Sequence, residues 1–524
     1  MKHNILKAIY DHSLLHKRKT LIQVNEKQLN YEDFITETAL IAHALKSLGI
    51  SPGQKIAMVI ANSTYWYCIF WAVVSIGARP VPLDPQTGEW ELEQLLGILD
   101  TKACFISEKY RANHILQSFS KLIETNKIHC PVILIDKMDI KHPFISWNAF
   151  LNPAQGATLE ITEDPEDILM YACTSGTTGN PKIITVEHSG FFQSQKDMSN
   201  YLGLCSKDIM LLGMPLYHQG GFGMGVQALL AGASVIYQPQ FDPVLFLKII
   251  EKYRVTVIQI TPTLAKIILT VPNLKDFDIS SLKLAYFTGE VLPDEVARIF
   301  YKDLGIRVVN IIGSSETATM VIWDSAFDQE YGVNEFRSLD FTRVKIVDDK
   351  GQSVSIGETG RILIHTDAIL REYYGNSRET KARIHYIENK RWFDTGDLAE
   401  KLEKGRLRFA GRAKRIIKRG SNLVFPEEVE SFLLSHPKIS AVAIVKGSSE
   451  IFGETIIAYI QIINGTSLTQ GELFKYCRGK IAAFKVPDHF EIVTEIPKDI
   501  GKIQFKYIGH NHQQEPKNEQ NEIK

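Results

Sequence analysis

Paired cysteines are missing from this chain. Its six cysteines (Cys68, Cys104, Cys130, Cys173, Cys205 and Cys477) are scattered through 524 residues, with no CxxC pair and no Cys/His spacing of a zinc ligand set. That argues against a disulfide scaffold or a structural zinc, and for reduced thiols in a cytoplasmic protein. A surplus of charge is missing too: 59 Lys and Arg stand against 60 Asp and Glu, a net charge of −1. A nucleic-acid-binding face would show as a basic excess, so nucleic acid is not expected as a partner. The N-terminal "MKHNILKAIYDHSLLHKRK" has no apolar stretch followed by a cleavage site, and no secretory signal is read there.

Unbroken apolar runs of membrane length are also lacking. Residues 56–78, "IAMVIANSTYWYCIFWAVVSIGA", are long enough by count alone. Asn62-Ser63-Thr64 divides them, however, into a buried strand, "IAMVIA", and a buried helix ending at Gly77. Residues 209–241 contain no Asp, Glu, Lys or Arg, but Pro215, His218 and a glycine cluster interrupt them. Both stretches read as the interior of a large α/β domain, and no membrane span is expected.

What is present is the composition of a soluble globular protein, 44% hydrophobic and 23% charged. The chain is too long for one ordinary core, so two or more domains are expected. Through the first 340 residues, short apolar runs alternate with amphipathic helical patterns. One series runs strand 232–239, helix 243–254, strand 255–260, a helix from 262, strand 282–289, helix 293–305 and strand 307–313. Repeated βα units predict parallel sheets covered by helices. Beyond about residue 340 the pattern becomes strand–turn–strand, including "DLAEKLEKGRLRFAG", a hairpin turning at Lys404-Gly405. The fold class expected is α/β. A large N-terminal domain of parallel-sheet βα units plus a β-rich subdomain would span 1–411, followed by a small mobile α+β domain at 412–508. The tail at 509–524, polar and without apolar periodicity, is expected to be disordered.

The densest concentration of chemistry lies in "YACTSGTTGNPKIITVEH". Thr174, Ser175, Thr177 and Thr178 surround Gly176 and Gly179, and Pro181-Lys182 closes the group. Glycines let backbone N–H groups face an anion, and hydroxyls add donors, so a loop between two strands suits phosphate oxygens. It is not a Walker A loop, because Lys182 follows Pro181 and Ile183 stands where a magnesium-holding Ser or Thr would be. In "IIGSSETAT", Glu316 follows a strand end and a Gly-Ser-Ser turn, where a carboxylate can hold Mg²⁺ on a phosphate. "RWFDTGDLAE" offers Asp397 in a turn before a strand, able to accept both hydroxyls of a ribose. "GRAKRIIKRGSNLVFPEEVE" supplies Arg412, a basic strand and a proline-led helix start. "PKDIGKIQ" puts Lys502 near the end of the ordered chain. Taken singly, each has an ordinary reading: a polar turn, a solvated glutamate, a turn aspartate, a surface lysine.

The five in this order resemble the motif series of the adenylate-forming superfamily: acyl-CoA synthetases, peptide-synthetase adenylation domains and beetle luciferases. The resemblance spans roughly residues 20–508 and extends to "LNYEDF", "GARPVPLDP", "PLYHQGG" and "FKVP". It implies an ATP-dependent ligase that joins a carboxylic acid, fatty or aromatic, to the α-phosphate with release of pyrophosphate. The acyl group then passes to a thiol: CoA, or alternatively the phosphopantetheine of an acyl carrier protein. By the same resemblance, Thr174, Ser175, Gly176, Thr177, Thr178, Gly179 and Lys182 hold phosphates. Gly289, Glu290, Ile312, Gly313, Ser315 and Thr317 line the nucleotide, and Glu316 with Thr174 binds Mg²⁺. Asp397 and Arg412 hold ribose, and Lys502 bridges ATP and the carboxylate. His218 lies beside the acyl pocket, Lys414 is the interdomain hinge, and Gly420-Ser421 line the thiol tunnel.

Four departures from the family pattern stand out. Ile312 replaces a Tyr that stacks near adenine. "SSE" replaces "xTE", and Ser421 occupies a slot that is usually Gly. The terminal motif is one residue shorter than "PKTxxGK". "TGEVLP" (288–293) resembles carrier-loading domains more than CoA ligases. The region "HQGGFGMG" has no Asp to pair with an amino group, which argues against an amino-acid substrate. A non-catalytic nucleotide-binding regulator is the remaining reading; the survival of Lys502, Glu316 and Asp397 argues against it.

Overall fold

The stretch at 56–78 folds as strand Lys55–Val59 followed by helix Thr64–Ser75. Ser63 starts that helix, its Oγ accepting from the Trp66 amide at 3.1 Å, a cap of the kind worth about 1 kcal/mol. From Trp66 to Ser75 every side chain is buried. Trp66 and Phe70 stack at 5.3 Å, and Phe70 meets Phe222 at 4.5 Å. Among the described residues no helix is long and apolar enough to cross a membrane.

This is a computed structural model. It describes residues 4–503 except 112, 138–139, 141, 155, 163, 165, 175–181, 239, 413–416, 420–421, 425, 450–452, 479–480, 482–484, 497 and 500–501. The chain forms two compact units. The first comprises residues 1–288, 294–345 and 363–395; the second comprises 289–293, 346–362 and 396–524.

In the first unit the expected parallel βα pattern is present. Strands Arg307–Ser314, Leu284–Phe287, Val257–Ile260, Ile209–Leu212, Ser234–Tyr237 and Thr20–Val24 lie side by side in that order, all parallel. Antiparallel strands flank them, Ala318–Asp324 on one side and Lys27–Asn30 on the other. A second sheet of five parallel strands is ordered Arg79–Pro82, Lys55–Val59, Ala103–Ile106, Val132–Leu134 and Phe144–Ser146. A third, antiparallel sheet contains Ile168–Thr174, Lys182–Glu187 and Glu372–Tyr373. Helix boundaries follow local chemistry. Asp242 caps Pro243–Tyr253 by accepting from the Leu245 amide, with Pro243 pre-set at the first turn and Arg254 left-handed at the end. Thr261 caps Pro262–Leu269 in the same way.

The second unit contains strands Ile417–Arg419, Asn422–Val424, Ile439–Ser449, Gly453–Ile462 and His489–Val493. With helices Pro426–Leu434 and Gln470–Cys477 they enclose a core that includes Val429, Leu433, Ile456, Leu473 and Phe490. The hairpin expected at Lys404-Gly405 is there, pairing Lys401 with Leu407 and Asp397 with Arg412. Lys404 and Gly405 both take positive φ.

Two local expectations are corrected. The helix read over 293–305 is α-helical only at Asp294–Arg298 and continues as a π-turn at Ile299–Asp303; the wider turn seats Phe300 edge-on to Phe287 at 5.4 Å. Asp397 is not in a turn. It lies inside the continuous strand Lys390–Lys401, where pairing to Arg412 overrides the turn signal of Gly396.

Candidate active site

Strand pairing sets the geometry of the site. Thr174 ends one strand and Lys182 begins the next, and the two are register partners, so residues 175–181 join adjacent strand ends. Ser175, Gly176, Thr177, Thr178 and Gly179 lie outside the described residues, as does the side chain of Thr174. Lys182 is described. Its Nζ lies 2.5 Å from Glu379 Oε1 and 5.0 Å from the centroid of the Tyr373 ring. Tyr373 reaches this position because its strand pairs with Lys182–Glu187, Tyr373 opposite Ile184.

The same tyrosine touches Glu316. Tyr373 Oη donates to Glu316 Oε1 at 3.0 Å, and burial, then the glutamate charge, push its phenol well above the usual range. Glu316 sits in the tight connection between strands Arg307–Ser314 and Ala318–Asp324. Its amide donates to Ser314 Oγ at 3.2 Å, and its carbonyl accepts from the Leu370 amide at 2.6 Å. Gly313 is required nearby, because a Cβ there would fall 2.6 Å from the Ala318 carbonyl oxygen. Lys182 and Glu316 therefore both contact one buried tyrosine: an ammonium by its ring, a carboxylate by its hydroxyl.

Glu379 belongs to helix Ser377–Arg383, which Asn376 caps. Its carboxyl is held below the ordinary glutamate range, first by the hydrogen bond from Lys182, with Lys182 and Arg383 charges adding to it against burial. Arg383 continues the chain of charges to Asp394 at 3.6 Å. Tyr373, Glu379, Arg383 and Asp394 were not singled out from sequence. The signal was "EYYGNSRETKAR", an aromatic pair followed by a turn and a charged helix.

Glu316 is half-buried, and the Ser314 and Thr317 hydroxyls of the same turn hydrogen-bond each other at 3.0 Å; a carboxylate is a hard-oxygen donor of the kind Mg²⁺ takes when phosphates and waters complete its shell. Ile312 and Gly313 lie on the strand leading to Glu316, with Ser315 and Thr317 flanking it. His218 caps helix Gln219–Leu230, its Nδ1 accepting from the Gly220 amide at 3.2 Å, which directs Nε2 away from the helix end.

The remaining candidates lie on the second unit. Gly289 has φ +92, and Glu290 follows it in the same short segment. Asp397 is 6% exposed and opposes Arg412 across the ladder. The backbone of Lys502 pairs with Asp499 in a short antiparallel ladder, while its side chain and that of Arg412 lie outside the described residues. Lys414, Gly420 and Ser421 also lie outside them.

The sequence profile of the AMP-binding enzyme family matches residues 12–374, and that of the AMP-binding enzyme C-terminal domain matches 428–501. The chain belongs to the AMP-binding enzyme family. It is an AMP-forming acid–thiol ligase. YngI of Bacillus subtilis (strain 168), named provisionally as an acyl-CoA synthetase, is 29% identical over 501 residues, covering 90% of each chain. The indoleacetate–CoA ligase of Aromatoleum aromaticum (strain DSM 19018 / LMG 30748 / EbN1) is 27% identical, covering 94% of this chain and 95% of its own. Among solved structures, the anthranilate CoA ligase AuaEII superposes with a TM-score of 0.87 at 24% identity, covering 96% of both chains. That likeness fixes the fold of this AMP-binding enzyme.

Proposed function

We propose that this ligase activates a fatty or aromatic carboxylic acid as its acyl-adenylate and delivers the acyl group to CoA. The supporting observation is the convergence of Lys182 and Glu316 on Tyr373. An anion must attack a polyanion, so positive charge and donors have to be fixed before reaction. In this reading Lys182, Thr174 and residues 175–179 grip the phosphates, and Glu316 with Thr174 holds Mg²⁺. The metal would supply Lewis-acid neutralisation of phosphate charge. Gly289, Glu290, Ile312, Gly313, Ser315 and Thr317 line the nucleotide; Asp397 and Arg412 hold the ribose. Lys502 meets the carboxylate and the α-phosphate, and His218 borders the acyl group.

The domains would divide near 411/412, with Lys414 as the hinge and Gly420-Ser421 brought to the cleft for the thiol step. Residues 509–524 would form a disordered tail, and the enzyme would work in the cytoplasm. CoA as acceptor is supported by relatives named as CoA ligases over nine-tenths of this chain. The "TGEVLP" segment favours a second reading, with carrier-protein phosphopantetheine as acceptor. ATP–pyrophosphate exchange across a panel of acids tests activation, and a panel with no exchange refutes it. AMP release with CoA against holo carrier protein separates the acceptors.

A further inference from the structure

A row of buried polar side chains crosses the first unit with hydrogen-bonding atoms unsatisfied. Gln259 and Tyr286 are register partners on adjacent parallel strands, each the third residue of a four-residue strand. Paired residues of a parallel ladder project from the same face. Leu212 and Tyr237 continue that row across the sheet. Helix Gln219–Leu230 covers it: a Cβ on Gly225 would fall 2.3 Å from Tyr237 Oη and 3.5 Å from Leu212 Cδ1. At Tyr237 the polar end is satisfied, by Tyr67 Oη at 2.9 Å. Further along the row it is not.

Gln259 is 0% exposed, and among the described residues neither its Oε1 nor its Nε2 has a partner. Tyr286 is equally buried, and its Oη has no hydrogen-bond partner among the described residues. Gln227, on the covering helix, donates from Nε2 to Gln195 Oε1 at 2.8 Å and leaves its own Oε1 unmatched. Gln227 and Thr319 stand close to the Tyr286 phenol without meeting hydrogen-bond geometry, and burial pushes that phenol up to about 12. Buried amides and hydroxyls almost always find partners, so a cluster this dense marks a place where something else supplies them. Its position agrees: ligands of parallel sheets bind at the carboxyl ends of the strands. Thr319 pairs with Gly313 on the hairpin that carries Glu316, and Gln227 shares a helix with His218.

We infer that Gln227, Gln259 and Tyr286 recognise the acyl tail, and that the preferred acid carries an uncharged hydrogen-bonding group, a hydroxyl or an amide, remote from its carboxylate. This rests on the acid-activating reading above and narrows its substrate class. The set offers both donors and acceptors and has no formal charge, so a plain hydrocarbon tail would leave it unsatisfied and a second carboxylate would be buried without a counter-ion.

The test uses pairs of acids matched in length, one member ending in a hydroxyl or primary amide and the other in a methyl group. Pyrophosphate exchange is read for each. A site built to hydrogen-bond a substrate group rejects the analogue that lacks it, so the polar member should have a kcat/KM higher by about 10²-fold or more. Tyr286→Phe, which removes a single oxygen, and Gln259→Leu should each shrink that ratio by about tenfold while leaving the KM for ATP unchanged. Equal rates for both members with the unaltered enzyme would mean that buried water satisfies the row, and would overturn the inference. An unchanged ratio in a folded Tyr286→Phe enzyme would overturn it too. Absence of exchange with every acid would instead remove the activation reading itself.

Discussion

Replacing Tyr373 by Phe isolates one contact. The residue is 3% exposed, and its Oη donates to Glu316 Oε1 at 3.0 Å. Removing the oxygen deletes one hydrogen bond to an ionised acceptor, about 1.5–3 kcal/mol. The ring stays, so the neighbour that Lys182 lies against is kept. At about 1.36 kcal/mol per decade, the loss corresponds to roughly 10- to 150-fold in any step that needs the Glu316 carboxylate in place. The assay is ATP–pyrophosphate exchange at saturating acid, with MgATP varied at limiting and at excess Mg²⁺. We expect kcat/KM for MgATP to fall within that range, with the KM for the acid unchanged and partial recovery at excess Mg²⁺. Recovery would follow because the carboxylate is still present and only its orientation is lost. A Tyr373→Phe enzyme within twofold of the parent at limiting Mg²⁺ would refute the reasoning. It would show that Glu316 is positioned by its backbone bonds to Ser314 and Leu370 alone.

Three further outcomes are expected. Asp397→Ala should weaken ATP binding by about 1.5–3 kcal/mol, the value of a hydrogen-bonded charge; unchanged nucleotide affinity by calorimetry would reduce Asp397 to a strand residue. Glu379 has its folded-state carboxyl value depressed by Lys182, so its stabilisation is complete above the ordinary value of 4.5 and is lost as pH falls through the folded value. Urea denaturation between about pH 3 and pH 6 should therefore show a shallower acid limb for Glu379→Gln than for the parent, and identical limbs would contradict the pairing. Lys502→Ala should lose adenylation by about 10²–10³-fold yet still convert supplied acyl-adenylate to thioester, whereas Lys414→Pro, which fixes φ at the proposed hinge, should form adenylate and fail in thioester release. Equal failure of both variants in both steps would rule out two working orientations of the small domain.

The contrast between what sequence disclosed and what it withheld has a physical origin in these same residues. The residues proposed to meet phosphate are contiguous in sequence, because successive backbone amides and hydroxyls are needed to surround an anion. "TSGTTGNPK" is therefore visible as a string, and the strands read on either side of it are present as Ile168–Thr174 and Lys182–Glu187. Glu379 is 197 residues from the lysine it pairs with. Only the antiparallel pairing of Glu372–Tyr373 with Lys182–Glu187 brings the two together, and no local pattern encodes that pairing. Asp397 shows the converse: Thr395-Gly396-Asp397 carries turn chemistry, with Gly396 at φ +73, yet the ladder to Arg412 keeps the strand continuous. The polar row goes further in the same direction. "VIQI" and "LAYF" each read as an ordinary buried strand, and their third residues become neighbours only through parallel register. The proposed nucleotide contacts sit on short contiguous segments. The inferred tail recognition is assembled from three elements, helix Gln219–Leu230 and strands Val257–Ile260 and Leu284–Phe287, so a single buried Gln or Tyr on each can change the acid selected while leaving every nucleotide motif intact.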